Sequence, residues 1–180
     1  NSPADFPVVG DYVLIAADGR VIQEILPRNS VILRKAAGSG HTEQAIAANL
    51  DTVFICMSLN RDFNLRRMER YLSVVWDSGA TPVIVLTKSD LCSDLPERIR
   101  QLDEISFGTN VVVTSVKEPG SGQKLLSYVG SGKTAAFLGS SGVGKSTLIN
   151  CLLGEERLAV NGIRKDDKGR HTTTRRQLLF

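Results

Sequence analysis

Gly139-Ser140-Ser141-Gly142-Val143-Gly144-Lys145-Ser146 is the stretch that decides the fold. It has the spacing G-x-x-x-x-G-K-S. The apolar run Thr134–Leu138 precedes it, and Lys145–Leu153, with apolar residues at helical spacing, follows it. Strand, loop and helix in that order are the context in which this pattern carries meaning. Glycines let the backbone wrap so that its N–H groups point inward, and the start of the helix adds partial positive charge. Such a loop suits phosphate groups. Ser141, Gly142, Val143, Gly144, Lys145, Ser146 and Thr147 are therefore the candidate phosphate-binding residues. Lys145 is expected to reach the β- and γ-phosphates, and the Ser146 hydroxyl to bind Mg2+. The plain alternative is a Gly-rich turn that only caps a helix. The loop by itself does not choose between ATP and GTP.

Working outward, strand-like and helix-like segments alternate. Thr52–Leu59, Pro82–Leu86, Val111–Val113 and Thr134–Leu138 read as buried strands. Leu65, Met68, Leu72, Val75 and Trp76 recur at helical spacing and stop at Gly79. Ser93 or Asp94 can cap a second helix with Pro96 in its first turn and Ile99, Leu102 and Ile105 inside. Gly122–Val129 reads as a short helix. Strands that are apolar on both faces imply a mostly parallel sheet covered on both sides. The fold class is α/β, a P-loop NTPase. Upstream, Val8–Ile15, Val21–Leu26 and Val31–Leu33 read as short strands, with Asp18-Gly19 as a hairpin turn. The small, polar Lys35–Thr42 reads as a linker.

Two loops ahead of the phosphate loop carry a second signal. Thr87-Lys88-Ser89-Asp90 follows a strand and resembles the (N/T)-K-x-D motif of GTPases. Guanine presents an N1–H and an amino group on one edge, and one carboxylate accepts from both. Adenine leaves that carboxylate unpaired, which is costly once it is desolvated. Thr114-Ser115-Val116-Lys117 follows the next strand and resembles the S-A-K guanine loop. Thr87, Lys88, Asp90, Ser115, Val116 and Lys117 are the candidate guanine-binding residues. In most GTPases the phosphate loop comes first; here it comes last. Rejoining a compact domain at nearby termini leaves the site intact, so the order points to a circularly permuted GTPase.

Composition sets outer bounds. The 180 residues carry a net charge of +3, concentrated at 161–180, where Arg164, Lys165, Lys168, Arg170, Arg175 and Arg176 stand against Asp166 and Asp167. A basic cluster beside a phosphate site suits nucleic acid or the bound nucleotide, or simply solvates a loop. Cys56, Cys92 and Cys151 form no C-x-x-C pair, so neither a disulfide framework nor a zinc site follows, and Cys56 and Cys151 read as core residues. No run approaches the roughly 18 apolar residues of a membrane span, and no signal segment opens the chain. A soluble, cytoplasmic and monomeric protein without membrane contact is expected. The first residue is Asn1, which suggests that a longer protein begins upstream.

The permuted order, the N-terminal β-segment, Gln44–Asp51, Ser58–Asn64, Gly139–Asn150 and Gly169-Arg170-His171-Thr172-Thr173-Thr174 together resemble the RsgA (YjeQ/EngC-like) family over nearly the whole chain. The resemblance implies a GTPase that assists maturation of the small (30S) ribosomal subunit and contacts its rRNA, with GTP and GDP as ligands and Mg2+ as cofactor. It implies residues 1–36 as part of an OB-fold, 37–44 as a linker and 45–180 as the permuted GTPase domain, incomplete at its end. One of Thr172, Thr173 and Thr174 would meet Mg2+ in switch I. The family's D-x-P-G motif and its zinc-binding C-terminal domain would follow Phe180, so this chain as it stands is expected to hydrolyse GTP weakly or not at all. No catalytic residue is assigned. Two other readings stay open: an ATP-using phosphotransferase, and a nucleotide-gated RNA-binding module without turnover of its own.

Overall fold

The computed structural model describes residues 6–35, 43–60, 62–158 and 178–179. Four parallel strands form the central sheet: β5 (Thr52–Ser58), β6 (Thr81–Thr87), β7 (Asn110–Val113) and β8 (Ala135–Leu138), in spatial order β7-β6-β5-β8. Thr52 lies opposite both Thr81 and Ala135, so β5 is central. Its residues alternate between two cores. Val53, Ile55 and Met57 face helices α1 (Leu65–Asp77) and α2 (Leu95–Ser106). Phe54 and Cys56 face Val143 and Leu148, around helix α3 (Lys145–Leu153), and Leu125 of the 3₁₀ segment Ser121–Tyr128. Burial on both faces is why the strand reads as an unbroken apolar run.

The helices start where the chain can cap them. Asn64 accepts from the Arg67 amide at 2.9 Å, and Asp94, the second of the two candidate caps, accepts from Glu97 at 3.2 Å. Met68, Leu72 and Val75 are buried. Trp76 is 51% exposed, although it reads with them in sequence. One residue past Val75 turns about 100° around the helix and leaves the inner stripe. The segment expected as a helix at 122–129 is a tighter 3₁₀ turn.

Four shorter strands precede β5. β1 (Val13–Ile15) and β2 (Ile22–Ile25) form the expected hairpin around Asp18-Gly19. The strand expected over Val8–Ile15 is cut short. Gly10, at φ +95°, turns against the Ala48 carbonyl, where an added Cβ would fall 2.0 Å from the oxygen. Asp11 closes the turn by accepting from the Val8 amide at 2.8 Å, and it forms a two-pronged ion pair with Arg28, both contacts 2.7 Å. β3 (Val31–Lys35) pairs antiparallel with β4 (Glu43–Ala48), a strand the sequence reading did not have. β4 begins inside the residues read as linker. Its Ala-rich sequence, Glu43-Gln44-Ala45-Ile46-Ala47-Ala48, has weak strand propensity, and pairing with β3 overrides it. No helix among the described residues is long and apolar enough to cross a membrane.

Candidate functional site

The chain runs β5, β6, β7 outward from the sheet centre and then returns to β8 on the far side of β5. The reversal falls between β5 and β8. The connection leaving β5 enters α1 on one face, and that leaving β8 enters α3 on the other. A crevice opens at such a switch point, at the carboxyl ends of the strands. Here it is a cleft of about 1120 Å³ lined by Gly139–Leu148, by Thr87, Lys88 and Asp90, and by Thr114–Val116. The two sequence motifs and the phosphate loop thus share one cavity.

The phosphate loop sits tightly on β5. Gly139 has φ +151°, and a Cβ there would lie 2.5 Å from the Cys56 carbonyl oxygen. Gly142 and Gly144, at φ +74° and +105°, also take conformations open to glycine. Gly144 caps α3, whose first residue is Lys145. The Lys145 ammonium donates to the Gly139 and Ser140 carbonyls at 2.8 and 2.7 Å. Burial pushes its pKa below the ordinary 10.5. Beneath the loop, burial pushes the Cys56 thiol up to about 12, which keeps it an inert neutral side chain. Cys151, expected in the core, is exposed. It lines the cleft instead, close to Gly122, because the short α3 turns Leu148 and Leu152 inward.

The Thr87–Asp90 and Thr114–Lys117 loops are tied to one another and to the phosphate loop. Asp90 Oδ1 accepts from the Ser115 hydroxyl at 2.7 Å, and Oδ2 lies 3.1 Å from Lys117 Nζ. The Ser115 bond, with Lys117 beside it, holds the Asp90 carboxyl below the usual carboxylate range. Lys88 takes φ +58°, a left-handed conformation that bends the chain sharply after β6. The buried Thr87 hydroxyl donates to the Val143 carbonyl at 2.6 Å. That contact links the two halves of the cleft directly, above the β6–β5–β8 pairing that sets them side by side. Val116 and Lys117 stand exposed at the rim.

Thr172, Thr173 and Thr174, and the basic cluster around them, lie outside the described residues. The sequence reading missed Asp62 and Arg67, which touch Ser140. Asp62 lies in the Ser58–Asn64 segment already singled out in the sequence, without a role, and Arg67 sits in the first turn of α1. Among the described residues, the one placed to meet Mg2+ through a hydroxyl is Ser146, at the first turn of α3 beside Lys145. No group of three or more His, Cys, Asp or Glu side chains that could hold a metal occurs among the described residues. A single hydroxyl fits Mg2+, which keeps waters and takes its remaining oxygens from substrate phosphates. It does not fit a metal that needs a full protein cage.

Comparison with known proteins adds the family. The model of the RsgA GTPase family matches residues 25–180. The chain belongs to the RsgA GTPase family. Small ribosomal subunit biogenesis GTPase RsgA 2 of Lactiplantibacillus plantarum is 56% identical over 99% of this chain and 51% of its own length. The RsgA of Methanosarcina acetivorans is 48% identical over 97% of this chain and 48% of its own. The chain spans about half the length of the curated relatives it matches. Among solved structures, YjeQ from Thermotoga maritima superposes with a TM-score of 0.63 at 27% identity, over 82% of this chain and 51% of that one. YloQ, described as a circularly permuted GTPase, superposes with a TM-score of 0.57 at 28% identity, over 81% and 50%. In this chain the loops Thr87–Asp90 and Thr114–Lys117 come before Gly139–Ser146.

Proposed function

We propose that this protein binds GTP and GDP in the cleft between the phosphate loop and the Asp90 loop, and hydrolyses GTP in the service of small ribosomal subunit maturation. The observation that carries the reading is the position of Asp90. Its ionised carboxylate is set by Ser115 in the same cleft as the phosphate loop, and Thr87 Oγ1 bonds the Val143 carbonyl between them. A carboxylate so held accepts from both donors of a guanine edge and rejects adenine, which has no such pair.

The roles divide by residue. Ser141–Thr147 surround the phosphates, with Lys145 as the fixed cation. Lys88 lies along the base, Asp90 reads it, and backbone N–H groups of Ser115–Lys117 face its carbonyl. Ser146, with one of Thr172–Thr174, holds Mg2+, which neutralises phosphate charge when bound. Residues 1–36 contribute to an OB-like unit that meets rRNA, and 45–180 form the permuted GTPase domain. Zinc belongs to a further C-terminal unit in this reading, and the protein acts as a cytoplasmic monomer. The names of the relatives support the ribosomal role.

Competition tests the base. Labelled GTP is displaced by unlabelled GDP and not by equimolar ATP; strong displacement by ATP would instead support a phosphotransferase. Phosphate release measured with and without small ribosomal subunits tests the role. Turnover that rises on adding subunits is expected, and a rate indifferent to them removes the ribosomal assignment.

A further inference from the structure

The loop between β5 and α1 touches both halves of the cleft without belonging to either motif. On the base side, the Leu59 amide donates to the Thr87 carbonyl at 2.9 Å. On the phosphate side Asp62 of this loop and Arg67 of α1 make a three-way contact with Ser140. Arg67 Nη1 lies 2.9 and 3.1 Å from the two Asp62 carboxylate oxygens and 2.9 Å from Ser140 Oγ. The Ser140 hydroxyl donates in turn to Asp62 Oδ2 at 2.5 Å. Ser140 is also the residue whose carbonyl accepts from Lys145. Its side chain is clamped while its peptide holds the phosphate-reaching cation.

Both clamping residues are themselves anchored. The Arg67 amide bonds the Asn64 side chain that caps α1, and the Asp62 amide bonds Asn60 Oδ1 at 3.1 Å. A serine hydroxyl left alone samples several rotamers; between a carboxylate and a guanidinium it keeps one. A phosphate loop works by the orientation of successive peptide planes, so holding Ser140 removes part of the ordering cost that a polyphosphate otherwise meets on binding.

We propose that Asp62 and Arg67 are positioning residues for the phosphate loop, holding Ser140, and through it Lys145, in polyphosphate-binding geometry before nucleotide arrives. The inference rests on the guanine-nucleotide reading of the cleft and adds to it a pair outside both motifs. It has a specific consequence. Asp90 and Ser115, which brace the base half of the cleft against each other, bond neither member of the pair, so losing the pair weakens polyphosphate contacts and spares the base.

The test measures affinities for GDP and for guanosine, by competition against a fluorescent GDP, in the full chain carrying R67M, S140A or both. R67M and S140A each weaken GDP binding roughly tenfold, the size of one charge-assisted hydrogen bond, and leave guanosine within about twofold of the unmodified protein. The double variant is no weaker than the weaker single one, because both substitutions open the same clamp. S140A removes a single oxygen and keeps the test open if R67M does not fold. Equal losses for GDP and guanosine, or single effects that multiply in the double variant, overturn the proposal while leaving the cleft assignment standing. Unmodified protein that does not prefer GDP to ADP removes both.

Discussion

Substituting Gly139 by alanine tests how the phosphate loop is seated on the sheet. The new Cβ would stand 2.5 Å from the Cys56 carbonyl oxygen and 3.3 Å from both the Cys56 carbonyl carbon and Cβ. A carbon–oxygen contact of that kind settles near 3.2 Å or beyond, so something must move by about 0.7 Å. Cys56 cannot yield cheaply: it is 2% exposed, in the central strand, paired on the β6 side through Cys56↔Val85. Overpacking of this kind costs about 1–3 kcal/mol. The backbone adds a second cost, because φ +151° is a region that alanine rarely adopts, at about 1–3 kcal/mol. Together they amount to about 2–6 kcal/mol, a large share of the ~5–15 kcal/mol that holds a domain of this kind together. For a chain of this size that is a melting temperature lowered by roughly 4 to 24 °C. If the loop lifts off β5 instead, the strain appears as lost nucleotide affinity, because Lys145 loses its carbonyl partners Gly139 and Ser140. Thermal unfolding followed by circular dichroism, with GDP titration on the same sample, reads both outcomes. A G139A protein that melts within a degree of the parent and binds GDP equally well would refute the packing argument.

Two further outcomes follow from the site and from the N-terminal segment. D90N removes the carboxylate that Ser115 and Lys117 hold; GDP binding falls by roughly 10- to 100-fold, the scale of a lost charged hydrogen bond, and xanthosine diphosphate, with a carbonyl where guanine has its amino group, binds better to the variant than to the parent. Unchanged base preference in competition titrations would sink the base-reading role. The second outcome concerns pH. Its hydrogen bonds with Arg28 hold the Asp11 carboxyl below the ordinary 3.8, against the opposing pull of burial. A depressed carboxylate stabilises the fold fully above its unfolded value, and that contribution drains away as pH falls through the lower folded value. Stability measured from pH 6 to pH 2 should therefore drop less steeply in D11N than in the parent. D11N should also be less stable near neutrality, by about 2 kcal/mol, because the amide that replaces the carboxylate no longer offers Arg28 a charged, two-pronged acceptor. Parallel curves for the two proteins would show that the pair does not titrate with folding.

Much of the fold is legible in the residues because its signals are local. Met68, Leu72 and Val75 give a helix its inner face, and the unbroken Thr52–Ser58 run marks a strand covered on both sides. Asp18-Gly19 turns the first hairpin with its own backbone. The errors are of one kind. Val8–Ile15 is apolar enough for a strand, yet Gly10 packs closely against Ala48 and Asp11 pairs with Arg28, neighbours that no local window contains. Glu43–Ala48 has little strand character and becomes β4 because β3 is beside it. Trp76 and Cys151 have core-like spacing or composition, but their exposure depends on which neighbours reach them.

The candidate site divides in the same way. By itself, the sequence determined the chemistry of the two halves: glycines, a lysine and a serine at phosphate-loop spacing, and a Thr-Lys-Ser-Asp turn after a strand. It also determined their order, which separates this chain from GTPases that begin with the phosphate loop. Only the tertiary structure decided that the halves meet, through Thr87 and Val143, 56 residues apart. It alone placed Asp62 against Ser140, 78 residues away. The reason is physical. Side-chain periodicity and turn chemistry act over a few residues, whereas contacts between distant residues follow from which parallel strand lies beside which. That arrangement is set by how the apolar faces of β5, α1 and α3 bury one another.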